Sequence, residues 1–93
     1  MANGLIVKAF PITNDERKQV VADNLCVFCD RKYAVRRDFY RDLIKRNEEY
    51  DYVLPTFSTV QDYIMGNRKA TFDFILLSSI TLDIPLEVLL GLR

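Results

Sequence analysis

The sequence predicts a small all-α protein, a compact bundle of four to five helices preceded by a short extended arm or strand. Apolar residues recur at helical spacing in several segments, and residues that start or stop helices stand at the ends of those segments. Of the 93 residues, 49% are apolar, which suffices for one core without disulfides or a bound metal. We therefore expect an N-terminal arm over residues 1–12 and a helical domain over residues 13–93.

The first helix is predicted from a capping box. Thr13 and Glu16 have the spacing at which each side chain bonds the backbone amide at the other position. The helix is expected to reach about Lys32. Three residues at helical spacing form its apolar stripe: Val21, Leu25 and Phe28.

A second helix is predicted from Val35 to about Arg46, with Phe39 and Leu43 turned inward. Residues 48–55, EEYDYVLP, break the helical period and predict either a strand or a structured loop. The apolar segment GLIVKAFP at residues 4–11 predicts a short strand or an extended arm. If both are strands, pairing them would satisfy the edges of both.

Three shorter helices are predicted in the second half of the chain. One starts at Thr56 or Ser58 and ends before Gly66, since glycine readily takes the left-handed conformation that terminates helices. Thr71 is expected to cap the next helix, and Pro85 to be the first residue of the last one. The capped helix is predicted to turn five residues inward: Phe72, Ile75, Leu76, Ser79 and Ile80.

The chain has no net charge, but its charges are unevenly distributed. Residues 31–46 contain seven basic residues against two acidic ones, whereas residues 70–92 contain three acidic residues and no basic one. A local basic patch can attract phosphates, because counterion release depends on the charges at the contact. The alternative is an ordinary solvated helix face.

Several classes of function are disfavoured by what the sequence contains. Cys26 and Cys29 have no histidine or second cysteine pair to complete a zinc site, so we expect reduced core cysteines, no metal and no cofactor. No nucleophile–base set, carboxylate pair or phosphate loop can be identified, which argues against an enzyme. Without a membrane-length apolar run or a secretion signal, we expect no membrane contact and a cytoplasmic location.

Residues 58–92, STVQDYIMGNRKATFDFILLSSITLDIPLEVLLGL, resemble the second half of the phage-repressor and Cro type of helix-turn-helix domain. That family has a recognition helix ending at glycine, a basic pair, a short capped helix and a closing acidic-Leu-Leu segment. The positions that carry the resemblance are Ser58, Thr59, Val60, Gly66, Arg68, Lys69, Thr71, Ile75, Leu76, Ile80, Leu82, Ile84, Leu86, Leu89 and Leu90.

The resemblance is weaker upstream. Residues 25–43 can be aligned with the family's first helix, turn and second helix, but Tyr40 stands where the family usually has alanine. Between Leu43 and Thr59 the chain has about ten more residues than the family's tight turn. We therefore expect an enlarged turn, with residues 44–55 as the inserted segment.

The resemblance implies a protein that inserts the helix near residues 58–65 into the major groove of double-stranded DNA. By position, the residues facing the bases are Thr56, Phe57, Ser58, Gln61 and Asp62. The implied phosphate contacts are Arg36, Arg37, Asn67, Arg68, Lys69 and Thr71. Alternatives stay open at three places: Phe57 as a core anchor, Asp62 facing water, and Arg68 with Lys69 as an ordinary cationic helix end.

We thus expect a sequence-specific transcriptional regulator derived from a phage or mobile element, acting by occupying an operator as a repressor or an activator. It would act as a homodimer, because one such domain reads only a half-site. The arm at residues 4–10 is the predicted interface, unless it covers its own core. The competing hypothesis is a protein-interaction module, an antirepressor or antitoxin-like partner, that keeps the scaffold without binding DNA.

Overall fold

The longest helix, α1, opens the part of the chain that the computed structural model describes, residues 14–92. It spans Asn14–Lys32, with acidic residues in its first turn and basic residues in its last, the arrangement that the helix dipole favours. The predicted cap at Thr13, the arm at residues 1–12 and the predicted strand at residues 4–11 lie outside the described residues.

Four further helices follow: α2 (Arg36–Asn47), α3 (Phe57–Met65), α4 (Phe72–Leu82) and α5 (Leu86–Leu89). The described residues contain no strand, so the predicted all-α bundle is confirmed. Residues 48–55 form a structured loop, and the strand considered for them is wrong.

The helix boundaries agree closely with the residues expected to set them. Thr56 and Thr71 are N-caps whose hydroxyl oxygens accept hydrogen bonds from the backbone amides three residues on, at 3.3 and 3.2 Å. Gly66 ends α3 with a left-handed φ of 79°. Pro85 is displaced by one position from the prediction, since it is the N-cap of α5 and not its first residue.

The core forms where α1 packs against α3 and α5 while α2 packs against α4. Its fully enclosed large side chains come from every helix: Leu25, Phe39, Leu43, Val60, Phe74, Leu77 and Leu89. Burying these side chains removes apolar area from water, at about 25 cal/mol per Å². This is the main force holding the helices together.

The inward face predicted for α4 is partly wrong. Of the five residues expected to face inward, only Ile75 is buried, and Phe72 is 62% exposed. The buried positions of this helix are Phe74, Ile75, Leu77, Ser78, Thr81 and Leu82. Apolar residues lie almost all around α4, so periodicity could not select a face, and packing against α2 decides it.

The loop between α2 and α3 is held by side-chain bonds to its backbone. Asn47 donates to the carbonyl of Tyr52 and accepts from its amide, both at 2.8 Å. The Tyr40 hydroxyl donates to the carbonyl of Pro55 at 2.8 Å. Asp51 has a φ of 57°, a left-handed conformation that aspartate tolerates better than most residues.

The last turn of the described chain is joined to the middle of α1. Asn24 donates through Nδ2 to the carbonyls of Val88 and Leu89, both at 3.1 Å. Gly91 has a φ of 78°, and a Cβ atom at this position would collide with Cγ1 of Val20. Only a residue without a side chain allows the chain to approach α1 so closely.

Candidate nucleic-acid interface

The N-terminal ends of α2 and α3 are neighbours in space. The Arg37 guanidinium carbon, in the first turn of α2, lies 4.5 Å from the centroid of the Phe57 ring, at the first residue of α3. Thr71, the cap of α4, shares a cleft of about 150 Å³ with Pro55, just before α3. Two helix ends that carry partial positive charge therefore meet at Arg37 and Phe57, and the cap of α4 borders a cleft that reaches Pro55.

The start of α3 presents its predicted base-facing residues in different ways. Ser58 is exposed, whereas the Thr56 hydroxyl caps its own helix and also donates to the Thr59 hydroxyl at 3.1 Å. Phe57 is half-buried, with its ring centroid 5.5 Å from that of Tyr40 in an edge-on arrangement. The Phe57 ring thus packs α3 against α2.

The two predicted base-facing residues further along α3, Gln61 and Asp62, are both half-buried. The Oε1 atom of Gln61 is enclosed and has no hydrogen-bond partner among the described residues. The carboxylate of Asp62 lies 3.9 Å from Nε of Arg68, and both side chains are partly exposed. Arg68 therefore balances the negative charge that Asp62 would bring toward a phosphate.

The remaining predicted phosphate contacts are dispersed. Arg36 is half-buried, with Nε 3.6 Å from Asp30 and Nη2 donating to Sγ of Cys26 at 3.4 Å. Asn67 and Lys69 are exposed in the connection between α3 and α4, where Lys69 borders α1 and not Arg37. Among the predicted phosphate contacts, Arg37 is the cation that directly adjoins the start of α3.

Two basic residues that the predicted site omitted continue the surface from Arg37. Arg41 and Lys45 follow it at four-residue intervals along α2, and all three are exposed. Arg41 pairs with Asp38 at 3.0 Å. We call Arg37, Arg41 and Lys45 the α2 ridge. The signal was present in the sequence as an i, i+4, i+8 repeat of bases.

The two cysteines form neither a disulfide nor a metal site in the described part of the chain. Both are free, Cys29 is buried, and Cys26 is half-buried rather than fully in the core. Burial raises the pKa of the Cys29 thiol to about 12, which keeps the thiol protonated and unreactive near neutral pH. Across residues 14–92, no group of three or more metal-ligating side chains is placed to hold an ion.

The described helices lack the features of a membrane span. Over residues 14–92, none combines the length and the apolar character needed to cross a bilayer.

Comparison of the chain with protein-family models, with curated proteins and with solved structures found no match.

Proposed function

We propose that this protein is a cytoplasmic, sequence-specific DNA-binding regulator of the phage or mobile-element kind. The observation that carries the proposal is the meeting of the N-termini of α2 and α3 beside the exposed guanidinium of Arg37. Helix N-termini offer unpaired backbone amides and a positive dipole end, which together favour phosphate oxygens.

In the proposed complex, the start of α3 enters the major groove and the α2 ridge lies along the phosphate backbone. Ser58 is exposed at the start of α3, where a hydroxyl can donate to or accept from a base edge. Two copies related by two-fold symmetry would read two half-sites. Arg68 contributes by offsetting the charge of Asp62, which otherwise repels the backbone.

The test is the salt dependence of DNA binding. Arg37→Ala should weaken binding to all sequences alike and flatten the slope of log K against log salt by about 0.9, the value for one lost phosphate contact. Ser58→Ala should leave that slope unchanged and reduce the preference for the best site by about 1 kcal/mol.

The matched control is Arg31→Ala, which removes the same charge from an exposed position on α1. There the Arg31 guanidinium lies 5.5 Å from the Phe28 ring centroid, so it resembles Arg37 in both type and local contact. If the two arginine variants change the salt slope equally, the effect comes from overall charge and the proposed interface is wrong.

The second candidate, a protein-interaction module, is favoured by the apolar side chains exposed at the enlarged loop. Val53 is 81% exposed, and Ile44 and Tyr50 are also exposed nearby in the chain. Exposed apolar side chains that form a contiguous patch mark protein–protein contact sites. Absence of salt-sensitive DNA binding by the unmodified protein at low ionic strength would refute the regulator, and the same surface would then be tested against protein partners.

A further inference from the structure

An apolar groove of about 520 Å³ runs between the first half of α1 and the start of α4. We call it the α1–α4 groove. Its apolar lining comes from Val21, Ala70, Phe72, Ile75 and Leu90. One wall is Phe72, the most exposed aromatic side chain among the described residues, at 62%. An apolar surface of this kind, open to water, is a site where another apolar group can bind favourably.

The chain itself supplies a segment that fits this surface. Thirteen residues precede α1, and residues 4–12 read GLIVKAFPI, which contains six aliphatic or aromatic side chains and no acidic one. The groove begins at Arg17 and Lys18, within the first turn or so of α1. The segment is therefore attached at the edge of the groove. Nine extended residues span up to roughly 30 Å, which is ample to follow it.

We propose that residues 4–12 bind in the α1–α4 groove of their own chain and complete its core. This inference is independent of the proposed DNA binding. A segment tethered beside its site has an effective concentration in the millimolar range, so weak apolar contacts suffice to hold it. A second copy would have to supply the same segment without that advantage.

The basic residues at the groove are compatible with an uncharged occupant. Arg17, Lys18 and Lys69 line the groove together with its apolar residues. Long basic side chains pack their methylene groups along apolar surfaces while their charged ends stay in water. They can also donate to the backbone carbonyls of an extended segment, whose amide and carbonyl groups need partners when they leave water.

The experiment uses a tryptophan placed in the segment of the 93-residue chain. The sequence contains no tryptophan, so Phe10→Trp gives a fluorescence signal from one position. We expect blue-shifted emission and acrylamide quenching severalfold weaker than for free tryptophan, in a protein that sediments with an unchanged mass on dilution. Ile6→Trp provides a second position, should the first variant fail to fold.

A matched pair of second substitutions locates the binding site. Phe72→Ala removes the groove wall and should red-shift the emission and restore quenching, whereas Met65→Ala should not. Met65 on α3 is 61% exposed, close to the exposure of Phe72, but it does not line the groove. The two truncations therefore remove side chains of similar exposure at different locations. Circular dichroism should be unchanged in both variants.

Three results would overturn the proposal. Emission and quenching like those of free tryptophan would mean that the segment binds nowhere on the protein. Protection that survives Phe72→Ala would mean that it lies elsewhere. A third result is a protein that is dimeric by mass at high concentration and whose tryptophan loses its protection from quenching on dilution. It would assign the groove to the segment of a second copy.

Discussion

The two connections that flank α3 are built in opposite ways. The connection after α3, residues 66–71, is set by local residues: a left-handed glycine at its start and a threonine cap at its end. The connection before it, residues 48–56, is held mainly by side chains that belong to α2, Asn47 and Tyr40, bonding loop backbone five and fifteen residues away in sequence.

This difference decides what each connection can tolerate. A turn encoded by its own residues is affected by changes at those residues and by little else. A loop held from a neighbouring helix depends on hydrogen bonds that are lost together when one side chain is removed. The connection before α3 positions the start of the helix and the connection after it sets where the helix ends, so both matter for the proposed DNA contact.

The largest effect is expected for Asn47→Ala, which removes both bonds to the backbone of Tyr52. Two partly buried backbone groups lose their partner, so we expect a loss of about 2–3 kcal/mol in the free energy of unfolding by urea. Asn67→Ala, an exposed asparagine in the other connection, should change it by less than about 0.5 kcal/mol. Equal losses of stability for Asn47→Ala and Asn67→Ala would contradict the claim that the two connections are held in different ways.

An intermediate effect is expected for Gly66→Ala, because a side chain in the left-handed region costs about 1–2 kcal/mol. The added Cβ would also lie 3.1 Å from Oε1 of Gln19, the end of a flexible side chain that can move. Gly66→Asn should cost less, since asparagine tolerates this conformation better than alanine. Urea unfolding that ranks asparagine at or below alanine would show that crowding and not backbone conformation limits this position.

The smallest effect is expected for Tyr40→Phe, which deletes the hydroxyl bonded to Pro55 and keeps the ring against Phe57. The loss should be about 0.5–1.5 kcal/mol in thermal or urea unfolding. Tyr50→Phe is the control, because this exposed ring stacks on Tyr52, at a centroid distance of 5.7 Å, without need of its hydroxyl. A stability loss for Tyr50→Phe as large as that for Tyr40→Phe would contradict the role given to the Pro55 bond.

The difference between the two connections also explains which parts of the fold could be predicted from the sequence. Gly66, Thr56 and Thr71 act on their own backbone, so their spacing alone located α3 and the start of α4. The hydrogen-bond partner of Asn47 could not be predicted from spacing. A polar side chain can bond many loop atoms, and the sequence does not show which one. The strand alternative for residues 48–55 stayed open for this reason.

The sequence predicted that the candidate site is basic, but it predicted less well which of the site's side chains lie together. The basic character of residues 31–46 identified the α2 ridge in outline. The ion pair between Asp62 and Arg68 and the enclosed Oε1 of Gln61 depend on how the end of α3 meets its surroundings, which periodicity does not reveal. The exposed Phe72 was missed because α4 is apolar on nearly every side.

The contact between Asn24 and the carbonyls of α5 has a consequence for the order of assembly during synthesis. The carbonyls that Asn24 binds belong to residues 64 and 65 positions later in the chain. On the ribosome, chain is added at about 5–20 residues per second, so α1 waits for several seconds with this part of its surface uncovered. The site that receives Leu89 stays open during that interval, and a chaperone that binds apolar surface would find its target there.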